Sequence, residues 1–259
     1  MKQLSLFSMV CRKVGDPLHD HAKFILTQCS TGCKSWFLQI SDICSKYGLQ
    51  HPLLYLEYPP QKLLFKNQVK SAITEYWHQV LTSECRELKS LKYFRPELYS
   101  VLKPHYMWTL AAGMPYETTK SSVLSKMLSG RYRSENFCRH FNPSNREGYC
   151  SLPSCFNIPG TLEHILITCP SLSCTRERMY SMCLERTVMF PSLHHCVRNI
   201  LNANEEIQTQ FFLEPLAFQV VKDEAFRTGQ QYIRTLSYIT RTFVFRIHRE
   251  YLKHIKDLA

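Results

Sequence analysis

The chain has 259 residues, 44% hydrophobic and 20% charged, and its 32 Lys and Arg against 21 Asp and Glu give a net charge of +11. Such proportions describe a core-forming chain of one large domain or two small ones, and they exclude a disordered tail, a collagen-like rod and a coiled coil. The longest apolar runs, such as 107–114, fall far short of the roughly 20 residues that span a bilayer, no basic-then-apolar leader opens the sequence, and the positive excess points first to nucleic acid and second to an acidic membrane surface.

Helical periodicity dominates and strand-like alternation is scarce, so the expected fold class is mainly α. Short helices are expected over 20–30 and 34–46, broken at Ser30-Thr31-Gly32 and at Gly48, ahead of Pro59-Pro60. The first long element covers 61–91. Its Phe65, Val69, Ile73, Trp77, Leu81, Leu88 and Leu91 share one stripe, while Lys62, Lys66, Lys70, Glu84 and Glu87 take other faces. Residues 94–117 contain Pro96, Pro104 and Pro115 and read as a surface connector. The domain boundary is placed there, giving a helical region 1–116 and a second region 117–259. A helix over 118–129 follows, with Gly130 in the position of a left-handed C-cap, and loops are expected over 131–160. The last element is a long amphipathic helix over 226–258. Tyr232, Leu236, Ile239, Phe243, Ile247, Tyr251, Ile255 and Leu258 form its apolar stripe, with Arg234, Arg241, Arg249, Lys253 and Lys256 opposite.

Twelve Cys in a chain of this length need not be disulfide staples, and the one near-match to a glycosylation acceptor, Asn142-Pro143-Ser144, carries the forbidden proline. A reduced, intracellular protein of the nucleus or cytoplasm is expected. Cys150, Cys155, His164 and Cys169 have the spacing C-x4-C-x8-H-x4-C. A structural zinc ion takes four Cys and His ligands in a tetrahedron, and this set supplies them. Thr161 can cap the short helix that carries His164, Glu163 suits its positive end, and Pro170 stops it. The x8 gap departs from common zinc-finger spacings, so the residues alone leave a second reading open: thiols packed as small apolar side chains. Cys29 and Cys33 with His19 and His21 read first as core, and Cys138 with His140, or His194, His195 and Cys196, are weaker groupings still.

Two basic regions are candidates for nucleic acid. Arg131, Arg133, Arg139 and Arg146 are interleaved with Tyr132, Phe137, Phe141 and Tyr149. Exposed, that mixture suits stacking on unpaired bases while neutralising phosphates; buried, the aromatics wedge the loop against the metal site. On the last helix, seven basic residues against Glu250 and Asp257 give +5, so Arg241, Arg249 and Lys253 make either a phosphate-tracking face or an ordinary solvated one. Catalysis is not expected. Polymerases and nucleases cluster carboxylates around divalent metals, and the five Asp of this chain, Asp16, Asp20, Asp42, Asp223 and Asp257, include no adjacent pair. No phosphate-binding glycine loop, nucleophile elbow or His-Glu-x-x-His occurs either.

The run 128–133, Cys138-Arg-His140, Asn145 through Cys150, Leu152 through Cys155, and Gly160-Thr-Leu-Glu-His-Ile165 on to Arg176 resembles the segment downstream of the polymerase in animal non-LTR (LINE-type) retrotransposon reverse transcriptases. The opening 4–11, the segment 34–40 and the closing Thr240-Arg-Thr-Phe243 with His248-Arg-Glu250 resemble the flanks of that region, so the likeness runs over nearly the whole chain. The resemblance implies that Cys150, Cys155, His164 and Cys169 occupy the family's Cys-Cys-His-Cys positions and hold a structural Zn2+. It also implies contact with template RNA or target DNA, working with a full-length reverse transcriptase. Endonuclease and polymerase regions are missing, so a truncated C-terminal fragment without activity of its own is expected. The alternatives are a helical protein-interaction module whose zinc is purely architectural, and a non-functional retroelement remnant.

Overall fold

In the computed structural model, residues 2–28, 35–101, 103–134 and 148–257 are described. The mainly α class holds: among them no strand forms, and the one β feature is an isolated antiparallel bridge between Tyr149 and Pro159. The chain divides into two compact units, Met1–Ser83 and Glu84–Ala259.

The first unit gathers α1 (Lys2–Cys11), α2 (Pro17–Gln28), α3 (Trp36–Lys46), α4 (Pro52–Glu57) and the first part of α5 (Lys62–Glu87). Local chemistry sets these starts. Ser35 accepts from the Phe37 amide at the head of α3, and α4 opens with Pro52 behind a His51 cap; both satisfy or remove amides that a helix start leaves without partners. Leu4, Phe7, Ile40, Tyr55 and Phe65 fill the core. The α5 stripe is only half buried. Phe65, Val69 and Ile73 join this core, but Trp77, still within the first unit, is 38% exposed and Leu88, beyond it, is 49% exposed. The helix also stops at Glu87 rather than at 91.

The second unit starts well before the boundary expected at 116/117. Tyr93 and Met107 are buried in its main core, so the proline-rich stretch is a core contributor and not a surface connector. Its elements are α6 (Tyr106–Ala111), α7 (Pro115–Leu128), α8 (Ser173–Thr187), α9 (Pro191–Leu201), α10 (Glu205–Leu213), α11 (Gln219–Thr228) and α12 (Gln230–Asp257). The helix expected over 226–258 is therefore two helices, separated at Gly229, whose φ of 81° is left-handed. Helix α12 is the axis of the unit and packs against α7, α8, α10 and α11. Its stripe from Tyr232 to Tyr251 is buried as the periodicity requires. Tyr180, Phe212 and Phe243 stack across α8, α10 and α12 with their rings within 8° of parallel.

Helix α7 ends in a Schellman motif: Gly130 N–H donates to the Met127 carbonyl and Arg131 N–H to that of Lys126, at 3.2 and 2.8 Å. Gly130 has φ 68°, and a Cβ there would meet the Ser90 side chain and carbonyl at 2.6 Å. Conformation and space both require glycine.

Candidate metal centre and basic surface

The four spaced residues converge. One ligand atom from each of Cys150, Cys155, His164 and Cys169 lies within 4.8 Å of all the others, and all four side chains are buried. The first two come from a turn clamped at its base, where Cys150 N–H donates to Ile158 O at 2.7 Å and Gly160 N–H to Gly148 O at 2.9 Å. Cys155 N–H closes the turn onto Leu152 O.

His164 and Cys169 come from a widened helical turn. Five residues apart on an α-helix, two side chains point about 140° away from each other at 100° per residue. Residues His164–Thr168 instead form a π turn, in which Cys169 N–H reaches back five residues to His164 O at 2.7 Å and both side chains come toward one side. The expected cap is present, since Thr161 Oγ1 accepts from His164 N–H at 3.1 Å.

The chemistry of this donor set fits a metal ion. The sulfurs of Cys155 and Cys169 are 3.4 Å apart, near the edge of about 3.8 Å that 2.3 Å metal–sulfur bonds give a tetrahedron. His164 Nδ1 lies 3.2 Å from Thr168 Oγ1, while its buried Nε2 has no hydrogen-bond partner. An oriented imidazole with a spare inward nitrogen is the arrangement that metal-ligating histidines adopt. The thiols oppose one another's ionisation: hydrogen bonding with Cys169 and then burial push Cys150 up to about 12, and burial pushes Cys155 up. Three adjacent thiolates need positive charge among them. The second reading, thiols packed as small apolar groups, leaves the buried Nε2 with at best a weak thiol partner in Cys150.

Two supporting residues have no distinctive signal in the sequence. Thr168 orients the imidazole, and buried Arg176 donates to the Cys169 carbonyl at 2.8 Å. Arg176 occupies the first turns of α8, where an Arg ordinarily reads as solvent-facing.

The basic candidates separate into three groups. Arg131, Arg133, Arg249 and Lys253 are exposed, with Lys253 paired to Glu250 at 3.0 Å. Tyr132 and Arg241 are corrected. The Tyr132 ring is buried and its hydroxyl meets His248 Nδ1 at 3.0 Å, so it is a packing residue and not a stacking platform. Arg241 is 4% exposed and lies 3.2 Å from Glu117, because α12 is covered on every side over 239–245. Arg139 and Arg146, with Phe137, Phe141, Cys138 and His140, lie outside the described residues, as do Cys29 and Cys33. The Tyr132–His248 contact ties 131–133 to the second half of α12. Exposed Lys126 stands close enough to His248 to help lower its pKa, after burial, which is the larger cause.

No helix among the described residues is long and apolar enough to cross a membrane. Comparison of the chain with known protein families, with curated proteins and with solved structures finds no match.

Proposed function

We propose that Cys150, Cys155, His164 and Cys169 hold a structural zinc ion, and that the second unit is a nucleic-acid-binding module of the type found downstream of the polymerase in non-LTR retrotransposon reverse transcriptases. The convergence of four soft ligands around an unpartnered, inward His164 Nε2 carries this reading. Zinc is the metal of choice for a closed, buried Cys3His set. Three thiolates and a neutral imidazole around Zn2+ leave one net negative charge, which the buried Arg176 guanidinium, hydrogen-bonded at Cys169, offsets.

The nucleic-acid part rests on the resemblance and on the exposed Lys126, Arg131, Arg133 and Arg249, gathered by the Tyr132–His248 contact. Such side chains bind by releasing counterions from phosphates and carry no sequence information. No reaction is assigned to the module, which would hold template RNA or target DNA for a reverse transcriptase supplied by another chain. The rival reading, a protein-interaction module with architectural zinc, draws on Phe226 and Met189, which are 91% and 83% exposed.

Elemental analysis of the wild type and of the double variant Cys155→Ser/His164→Ala decides the metal, with one zinc per chain expected in the first and none in the second. Titration with single-stranded RNA between low and high salt then decides the partner. Four phosphate contacts give a log–log slope of about −3 for a single strand. Zinc with no salt-sensitive RNA or DNA binding gives the answer to the interaction module, and a zinc-free wild type ends the metal reading.

A further inference from the structure

A second feature lies in the first unit and is independent of the metal centre. A cleft of about 290 Å³ opens between α1 and the start of α5. Its floor is apolar, made by Leu4, Met9, Phe65 and Val69. Its rim is cationic: Lys2 and Arg12 stand at the two ends of α1, and Lys62 and Lys66 stand one turn apart on α5. All four are exposed. Neither wall offsets this charge, since α1 contains no acidic residue and the first on α5 is Glu75, more than two turns beyond Lys66. Among the described residues none of the four rim cations has an ion-pair partner.

Cations of one sign around an apolar floor ask for a ligand that is both anionic and apolar. From Lys2 to Arg12 the wall runs about 15 Å at 1.5 Å per residue, the length of nearly three helical turns. A ligand with one acidic head would meet one end of that wall and leave the other cations unused. A nucleic acid would use the rim but not the floor, because the one aromatic ring there, Phe65, is 3% exposed and offers no face for stacking. A bilayer surface is flat, and this floor is recessed. At the mouth of the cleft Met9 is 51% exposed, an apolar side chain open to a ligand. An apolar side chain set among cations spread over nearly three helical turns is what an amphipathic helix of opposite charge complements.

We propose that the α1–α5 cleft docks an acidic amphipathic helix of a protein partner, which lays a stripe of Leu, Ile or Phe on the floor and presents Asp and Glu to the four cations. This is the helix-in-groove mode of recognition, with anchors at i, i+3, i+4 and i+7. The rim cations set the sign of the partner and speed its approach, while Met9 and the cleft it borders take the apolar anchors.

The test uses the full chain and a fluorescein-labelled 16-residue helical peptide with Leu at i, i+3, i+4 and i+7 and Glu on its flanks. Its counterpart with Lys in place of Glu, a single-stranded oligothymidylate and phosphatidylserine vesicles are the comparison ligands. The acidic peptide is expected to bind saturably, at least tenfold tighter than the Lys peptide. Lys62→Glu with Lys66→Glu should weaken it tenfold or more, Met9→Gln severalfold, and the zinc content should stay unchanged in both. Lys62→Gln with Lys66→Gln, together with a salt titration of the wild type, carries the test if charge reversal disturbs the fold. Absence of saturable binding, equal binding of the two peptides, or indifference to the Lys62 and Lys66 changes overturns the proposal. Displacement of the peptide by the oligonucleotide or the vesicles at matched charge, with Met9→Gln silent, overturns it in favour of a plain polyanion site.

Discussion

Two of the places where the second unit buries polar atoms treat them in opposite ways. Around Glu117 the chain supplies both signs. Lys120 Nζ donates to Glu117 Oε1 at 2.6 Å and to Thr242 Oγ1 at 3.3 Å, and it stands over the rings of Tyr116 and Tyr238. Arg241 lies 3.2 Å from Glu117 Oε2, bent too far for a directed hydrogen bond, and its other donors reach Ser121, Ser237 and the Met107 carbonyl. The Cys/His cluster has ligands of one kind only and ends in an unpartnered Nε2. The first place has both signs of charge from the chain's own atoms, although Glu117 Oε2 accepts no hydrogen bond, whereas the second has no cation among its ligands and could take one from solution. Stability at the two should therefore respond to different perturbations.

Removing the proposed zinc is expected to have the largest effect. Structural zinc contributes an apparent 10–16 kcal/mol in small sites of this kind, about the whole stability of an ordinary domain. Chelation, or Cys155→Ser, should unfold the turn over 148–160 and leave the α7–α12 packing in place. Hydrogen exchange of that segment reads this, and unchanged protection after zinc removal would sink the idea. Chelation should leave the Glu117 cluster untouched, while Arg241→Met should leave metal content untouched and cost about 1–3 kcal/mol through the lost hydrogen bonds to Ser121 and to the Ser237 and Met107 carbonyls. Combined with Glu117→Gln it should cost less than the sum of the two single changes in urea unfolding; strict additivity would deny the pairing. Gly130→Ala comes next, at about 1–2 kcal/mol for the left-handed conformation with the Ser90 contact in addition. A variant as stable as the wild type would mean that the Schellman turn relaxes freely.

The smallest expected effect concerns pH. Burial, and then Lys126, hold His248 below its ordinary value, so the folded state binds the proton less readily than the unfolded chain. Stability from this group is fully present above the unfolded value of about 6.5 and is lost as pH falls through that window toward the folded value. Lys126→Ala should raise the His248 pKa and flatten the dependence. An NMR titration of the His248 ring that does not move on Lys126→Ala contradicts this.

Periodicity and spacing made much of this legible. The α12 stripe and the Cys/His ligand set could be read because each depends on a local repeat or a local spacing. Arg241 could not, because its burial comes from α6 and α7 packing on the face opposite the stripe, a tertiary event that helical phase does not encode. Tyr132 stood as an open choice between stacking and wedging, and only the position of His248, 116 residues away, decides it. The misplaced boundary has the same origin. Pro96 and Pro104 signal turns correctly, but turns also occur beneath a core that Tyr93 and Met107 enter.

The π turn at His164 holds its last amide to a carbonyl one residue further back than an α-helix allows, which makes it a length gauge. Ligation of the proposed zinc would fix that slack by holding both His164 and Cys169. Without it, the turn can tighten to the ordinary i→i−4 register, which rotates Cys169 by about 100° relative to the helix behind it. The Cys169 carbonyl would turn with it, away from the Arg176 guanidinium that now reaches it at 2.8 Å. The phase of the chain entering α8 then records whether the cluster is filled, and exchange of the Cys169 amide against that of Met179 is expected to report it.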